Sequence, residues 1–182
     1  MSLSIQDAWL VQARRLLSPN CDARPAGCAP SLVVVHAISL PPGEYGGPWI
    51  DDFFSNRLDI SAHPWFAEIE GVRVSAHLLI RRDGELVQYV PFTQRAWHAG
   101  ESCYGERSAC NDFAIGIELE GCDEDGFEDI QYRQLADVIR LLRTEYPDIG
   151  VDDLVGHSDI APGRKTDPGP GFDWPRLRGL LA

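Results

Sequence analysis

At 182 residues and 44% hydrophobic content, the chain is long enough to bury one sizeable core. No apolar run in it approaches the roughly 18 residues of a membrane span. A formal net charge of −12 argues against nucleic-acid backbone binding as the main activity, and an acidic substrate would need a local patch of Arg or Lys. We expect one domain over 1–182. Gln6 and Asp7 stand where a signal peptide needs its apolar stretch, and no A-x-A cleavage site follows, so a cytoplasmic location is expected. Cys21, Cys28, Cys103, Cys110 and Cys122 form an odd set without C-x-x-C spacing, which argues against a disulfide framework. The seven-residue offset that two pairs share is read as coincidence.

Taken in order, residues 5–17 predict a short amphipathic helix ended by Ser18-Pro19-Asn20. The apolar run 31–36 has the pattern of a buried central strand, with His36 at the end where open α/β sheets place ligands. A rigid Pro-Gly loop spans 41–48, and 49–58 predicts a helix with Ile50, Phe53, Phe54 and Leu58 on one face. Residues 72–90 read as a hairpin around Arg82-Asp83-Gly84-Glu85. A loop over 91–112 contains Arg95-Ala96-Trp97-His98-Ala99-Gly100. The strand 113–119 turns Ile115, Ile117 and Leu119 one way and Gly116, Glu118 and Glu120 the other. After an acidic turn, 130–146 predicts a helix, with Leu135, Val138, Ile139, Leu142 and Tyr146 at helical spacing and Pro147 as the stop. A short strand, 153–156, leads into the loop 156–171, GHSDIAPGRKTDPGPG, whose prolines and glycines oppose regular structure. Asp173 then caps a C-terminal helix. The expected fold class is α/β, a mixed sheet covered by helices.

The long loop is where chemistry concentrates, since functional loops on rigid scaffolds carry ligands and catalytic groups. His36, His157 and Asp167 are candidate metal ligands: two imidazoles and one carboxylate suit a zinc site that keeps a position open for water. They form no local motif such as H-E-x-x-H, and a histidine at a strand end is also an ordinary hydrogen-bonded core residue. Asp159 and Asp173 compete with Asp167 but suit turn and capping roles. His63, before Pro64, reads as surface, His77 as core, and His98 as lining a groove. Glu118 is a candidate general base. Glu120 shares its parity, and a solvated or salt-bridged carboxylate is the alternative for both. Lys165 is placed to stabilise an oxyanion or to be an exposed lysine. A serine hydrolase is excluded early, because Gly156-His157-Ser158-Asp159-Ile160 lacks the second glycine of G-x-S-x-G.

Several stretches carry a resemblance. They are 31–36 with Ile38-Ser39-Leu40-Pro41-Pro42-Gly43, Val74-Ser75-Ala76-His77, Arg95 to Gly100, Cys110-Asn111-Asp112-Phe113, Gly116 to Gly121, and Gly156-His157 through Lys165-Thr166-Asp167-Pro168-Gly169. In this order and nearly end to end, they resemble the zinc N-acetylmuramoyl-L-alanine amidases, specifically the cytoplasmic 1,6-anhydro-muropeptide enzymes of cell-wall recycling. That family shares its fold with peptidoglycan recognition proteins. The resemblance implies hydrolysis of the amide between the anhydromuramyl lactyl group and L-alanine of the stem peptide. It implies Zn2+ held by His36, His157 and Asp167, with Glu118 as base, in preference to Glu120, and Lys165 as oxyanion stabiliser. The expected partner is an anhydromuropeptide, with no nucleic acid or membrane partner, and the expected state is a monomer. The family's usual asparagine after the first zinc histidine is Ala37 here, so a substrate-facing amide is missing. Ala37, Arg73, Trp97 and Arg107 are the candidate substrate contacts, the arginines because stem-peptide carboxylates call for cations. The alternatives are a muropeptide-binding module without catalysis and a cytosolic zinc hydrolase of another amide.

Overall fold

The computed structural model describes residues 3–182. Its first elements correct the sequence reading. Instead of a helix over 5–17 there are three two-residue strands, β1 (Ile5–Gln6), β2 (Trp9–Leu10) and β3 (Arg14–Arg15). Tertiary bonds override helical spacing here. Asp7 and Ala8 adopt left-handed φ of 52° and 65°, and Leu10 N–H donates to the buried Gln88 Oε1 at 2.6 Å. Gln88 Nε2 returns a bond to Ala8 O, and only Leu10 of this stretch is fully buried.

β4 (Cys21–Ala23) follows, then the predicted central strand β5 (Leu32–Ile38) and α1 (Trp49–Phe54), shorter than predicted. The hairpin forms with shorter arms, β6 (Leu78–Ile80) and β7 (Leu86–Gln88), and Gly84 takes the left-handed φ of 88° its turn requires. The stretch read as loop over 91–112 holds β8 (Gln94–Ala96), which pairs with β4, and a small hairpin of β9 (Cys103–Tyr104) and β10 (Arg107–Ser108). β11 (Ala114–Glu120), α2 (Asp129–Glu145) and β12 (Leu154–Gly156) match expectation. One helical turn, α3 (His157–Ile160), forms at the start of the proline-glycine loop, since Pro162 lies beyond it. In α4 (Trp174–Leu181), Asp173 caps the first turn by accepting from Arg176 N–H.

The main sheet runs β12-β5-β11-β6-β7-β3, and β12, β5, β11 and β6 are mutually parallel. Parallel strands buried on both faces explain why every residue of β11 is buried although its sequence alternates. Ile115, Ile117 and Leu119 pack with Leu135, Val138, Ile139 and Leu142 of α2. Each such side chain contributes roughly 1.5–3 kcal/mol through burial. The opposite face rests on a second cluster around Phe54, Phe66, Leu79 and Tyr89. Because β5, β11 and β12 run the same way, their carboxyl ends meet at one edge and deliver His36, Glu118 and His157 there. All five cysteines are free, and no helix among the described residues is long and apolar enough to cross a membrane.

Candidate active site and metal centre

A cavity of about 530 Å³ opens at that edge, and His36, Glu118, His157, Lys165 and Asp167 all line it. Register accounts for part of the arrangement, since His36 of β5 is the direct partner of Glu118 in β11. His157 opens α3 immediately after β12. Asp167 arrives from the loop, where Ser158 N–H donates to its carbonyl at 3.0 Å. Close packing fixes that loop from behind. Gly169, at φ 77°, and Gly171 lie so near the Cys122–Asp125 turn that a Cβ on either would meet its backbone at 2.2–2.3 Å.

Three atoms converge: His36 Nδ1 lies 3.0 Å from His157 Nδ1 and 3.0 Å from Asp167 Oδ2, and His157 Nδ1 lies 3.2 Å from the same oxygen. An outer partner assigns the proton on His157. His157 Nε2 faces the Ala99 carbonyl at 3.2 Å, and since a carbonyl only accepts, Nε2 carries the proton and Nδ1 presents its lone pair. His36 Nε2 sits 2.9 Å from His98 Nδ1, one donating and the other accepting, and His36 presents an Nδ1 lone pair when the shared proton is on its own Nε2. With a lone pair on each Nδ1, these two nitrogens and the carboxylate oxygen, all within 3.2 Å of one another, are a donor set that could hold a cation. Ligands about 2.0–2.1 Å from a tetrahedral zinc lie roughly 3.3 Å apart, so the donor set fits that ion. Burial holds His36 below the ordinary imidazole range against the pull of Asp167. Burial also works against the Asp167 charge, so its carboxyl lies below the usual range only while a ring proton on His157 or His36 faces it.

Glu118 and Glu120 share a strand face but not an environment. Glu120 is spoken for: Arg81 and Gly46 N–H contact its Oε1, and Arg82 N–H donates to Oε2. Glu118 is 8% exposed, and its buried Oε2 has no hydrogen-bond partner in the protein. Burial first, then Asp167, pushes its pKa well above the usual carboxylate range, with Lys165 opposing. A carboxyl group with a free oxygen facing a cleft is equipped to exchange protons with whatever occupies that cleft.

The other candidates disperse. Ala37 lines the cleft while its methyl packs against the α2-side core. Arg73 is exposed, and its neighbours Val72 and Val74 line the cleft while it does not. Trp97 is half-buried behind the lining residues Ser75 and His98. Arg107 stacks over Phe113 at 3.5 Å and donates to Ser31 Oγ at the opposite end of β5 from the cleft. His77 is core: its Nδ1 accepts from Gly116 N–H, and its Nε2 faces Gln94 O. His63 caps a 3₁₀ turn. Asp159 accepts from Gly156 N–H, the turn role expected of it. Two contributions escape sequence reasoning, the His98 ring against His36 and the Ala99 carbonyl against His157. Their one signal was the single histidine of the W-H-A-G run inside a long loop.

The comparisons with known proteins agree with this geometry. Residues 26–170 match the family model for N-acetylmuramoyl-L-alanine amidase. The chain is 64% identical to the 1,6-anhydro-N-acetylmuramyl-L-alanine amidase AmpD of Salmonella typhimurium strain SL1344, covering 96% of this chain and 92% of that protein. It is 61% identical to the AmpD of Escherichia coli K12, over 98% and 97% of the two chains. A crystal structure of a selenomethionine AmpD derivative superposes with a TM-score of 0.95 at 59% identity, covering 98% and 99%. The Escherichia coli amidase AmiD, in complex with anhydro-N-acetylmuramic acid-L-Ala-D-γ-Glu-L-Lys, superposes at 0.60 with 28% identity, covering 98% of this chain and 65% of that one. On this agreement of sequence and architecture, the chain belongs to the N-acetylmuramoyl-L-alanine amidase family and is an amide-cleaving hydrolase.

Proposed function

We propose that this chain, as a single-domain monomer in the cytoplasm, hydrolyses the amide between the lactyl group of 1,6-anhydro-N-acetylmuramic acid and L-alanine, with zinc as cofactor, in cell-wall recycling. The observation that carries the reading is the convergence of His36 Nδ1, His157 Nδ1 and Asp167 Oδ2 beside the unpartnered Glu118 Oε2. Support for the substrate comes from the 61–64% identity to the AmpD relatives and from the muropeptide bound in the AmiD complex.

His36, His157 and Asp167 would hold the zinc. When bound, zinc supplies Lewis-acid polarisation of the scissile carbonyl, acidifies water beside it and favours the charged form of Glu118. The protein residues carry the remaining work. Glu118 takes a proton from the attacking water and returns it to the nitrogen of the departing L-alanine. Lys165 faces the oxyanion that forms on the lactyl carbonyl. The apolar wall of Leu40, Phe53, Trp65 and Ile69 offers apolar contact to the bound muropeptide and leaves the polar wall for the reacting amide.

The test is turnover of a 1,6-anhydromuropeptide against its reducing-end counterpart, with zinc content measured on the same sample. Release of the L-alanyl peptide, faster from the anhydro substrate, lost on chelation and restored by zinc, is the expected result. Zinc-loaded protein that leaves both substrates intact overturns the reading.

A further inference from the structure

We propose that Arg164 is a positioning residue for the His157 imidazole: its guanidinium holds the 98–101 segment, whose Ala99 carbonyl sets which His157 nitrogen carries the proton. The proposal deepens the zinc reading above, and its metal arm rests on that reading.

One short segment supplies the outer partners of both histidines, His98 Nδ1 for His36 and the Ala99 carbonyl for His157. It lies between β8 and β9 with no ladder of its own, and Gly100 within it is left-handed at φ 57°. Side chains therefore hold it. From one side, Asn111 Oδ1 accepts from the N–H groups of His98 and Ala99 at 3.1 and 2.8 Å. From the other, one Arg164 terminal nitrogen donates to Ala99 O at 2.6 Å and to Glu101 O at 2.5 Å. Gly100 lies against it, and a Cβ there would meet the guanidinium nitrogens at an ordinary contact distance of 3.4 Å.

Arg164 forms no ion pair among the described residues, although the chain carries 28 acidic side chains. Its hydrogen bonds go instead to two main-chain carbonyls, one of them the oxygen that receives His157 Nε2–H. Arg164 also belongs to the loop that carries Lys165 and Asp167. One guanidinium nitrogen thereby ties the loop presenting a ligand to the segment that orients another. Outer partners of metal-binding histidines fix tautomer and ring angle, and losing one costs about 10–100-fold in metal affinity.

Charge and position predict opposite signs here, which makes the proposal testable. Removing a cation near a cation site should tighten zinc binding by Coulomb's law. Removing the orienting bond should weaken it. We expect Arg164→Ala to raise the zinc Kd about tenfold, the low end of the range for outer partners, measured by chelator competition. Arg164→Lys, which keeps the charge, should show a smaller rise. The second readout is the side-chain ¹⁵N spectrum of the metal-free protein. In the wild type His157 should be the single Nε2–H tautomer, and in Arg164→Ala a mixture. An unchanged or lowered Kd together with one unaltered tautomer overturns the proposal. If the wild type binds zinc no better than His157→Ala, the zinc reading fails instead, and the tautomer comparison alone decides for or against Arg164. Should Arg164→Ala lose its thermal transition, the same two measurements on Arg164→Lys decide.

Discussion

Gly116 offers a sharp test of how the site is packed. It sits in β11 with an ordinary strand conformation, so backbone freedom is not its reason. A Cβ added there would lie 2.4 Å from His98 Cγ, 2.6 Å from Nδ1 and 2.8 Å from Cδ2. Carbon contacts settle at about 3.5–4.0 Å, so in Gly116→Ala the imidazole must retreat by roughly 1 Å. It has little space, being wedged edge-on between the His36 ring at 5.1 Å and the His77 ring at 5.7 Å. Overpacking of this kind costs about 1–3 kcal/mol. At roughly 2–4 °C per kcal/mol for a chain of this size, the melting temperature should fall by about 2–12 °C. The His98–His36 contact, 2.9 Å now, would open beyond hydrogen-bonding distance. Zinc affinity should then drop about 10–100-fold. Calorimetry and chelator competition measure the two effects. Gly126→Ala, where a Cβ meets nothing within 4 Å, serves as the control. A Gly116→Ala protein with wild-type Tm and wild-type zinc affinity would refute both the packing argument and the orienting role of His98.

Glu118→Gln should retain zinc and fold while losing about 10²–10⁴-fold in kcat, and Lys165→Ala about 10²–10³-fold; metal loss in either would make that residue structural. Ala37→Asn restores an amide at the cleft. Worth roughly 0.5–1.5 kcal/mol, one hydrogen bond should raise kcat/KM about twofold to tenfold at constant zinc content, and a neutral or harmful result would remove position 37 from the substrate's reach. His77 titrates at about 3 in the folded protein, because burial and then Arg24 disfavour its charged form. The unfolded chain binds that proton near pH 6.5, so stability is full above 6.5 and is lost as pH falls towards 3, by on the order of 5 kcal/mol. Urea titrations across that window should show a flatter acid slope for His77→Asn than for the wild type; equal slopes reject the assignment.

Where sequence and structure agree, local pattern and tertiary context point the same way. The run ending in His36 is apolar on both faces because β5 is flanked by parallel strands and covered twice. The spacing of Leu135 to Leu142 matches one buried stripe of α2. The catalytic candidates were readable because polar groups at strand ends and in a proline-rich loop are poorly explained by packing alone. The failures have equally specific causes. Residues 5–17 carry helical spacing, but Gln88, which sequence reading had no reason to single out, captures the Leu10 N–H and the Ala8 carbonyl from 78 and 80 positions away. Arg107 satisfies the wish for a cation near the substrate, yet the small hairpin carries it to the far end of β5. The choice between Glu118 and Glu120 could not follow from parity, because it depends on Arg81 reaching Glu120 across 39 positions.

The three converging donors also constrain when this protein could acquire the proposed ion. His36 and Asp167 stand 131 positions apart, and His36 and His157 stand 121 apart. Closing a flexible loop of that length costs about 4 kcal/mol beyond a constant, so an unfolded chain does not present the three donors together. A chain still emerging from the ribosome has exposed His36 long before Asp167 exists, and no partial product owns the complete set. Capture of the proposed ion would therefore be a late event that follows assembly of β5, β11 and β12. Every increment of affinity the ion then contributes is returned as resistance of the finished fold to unfolding.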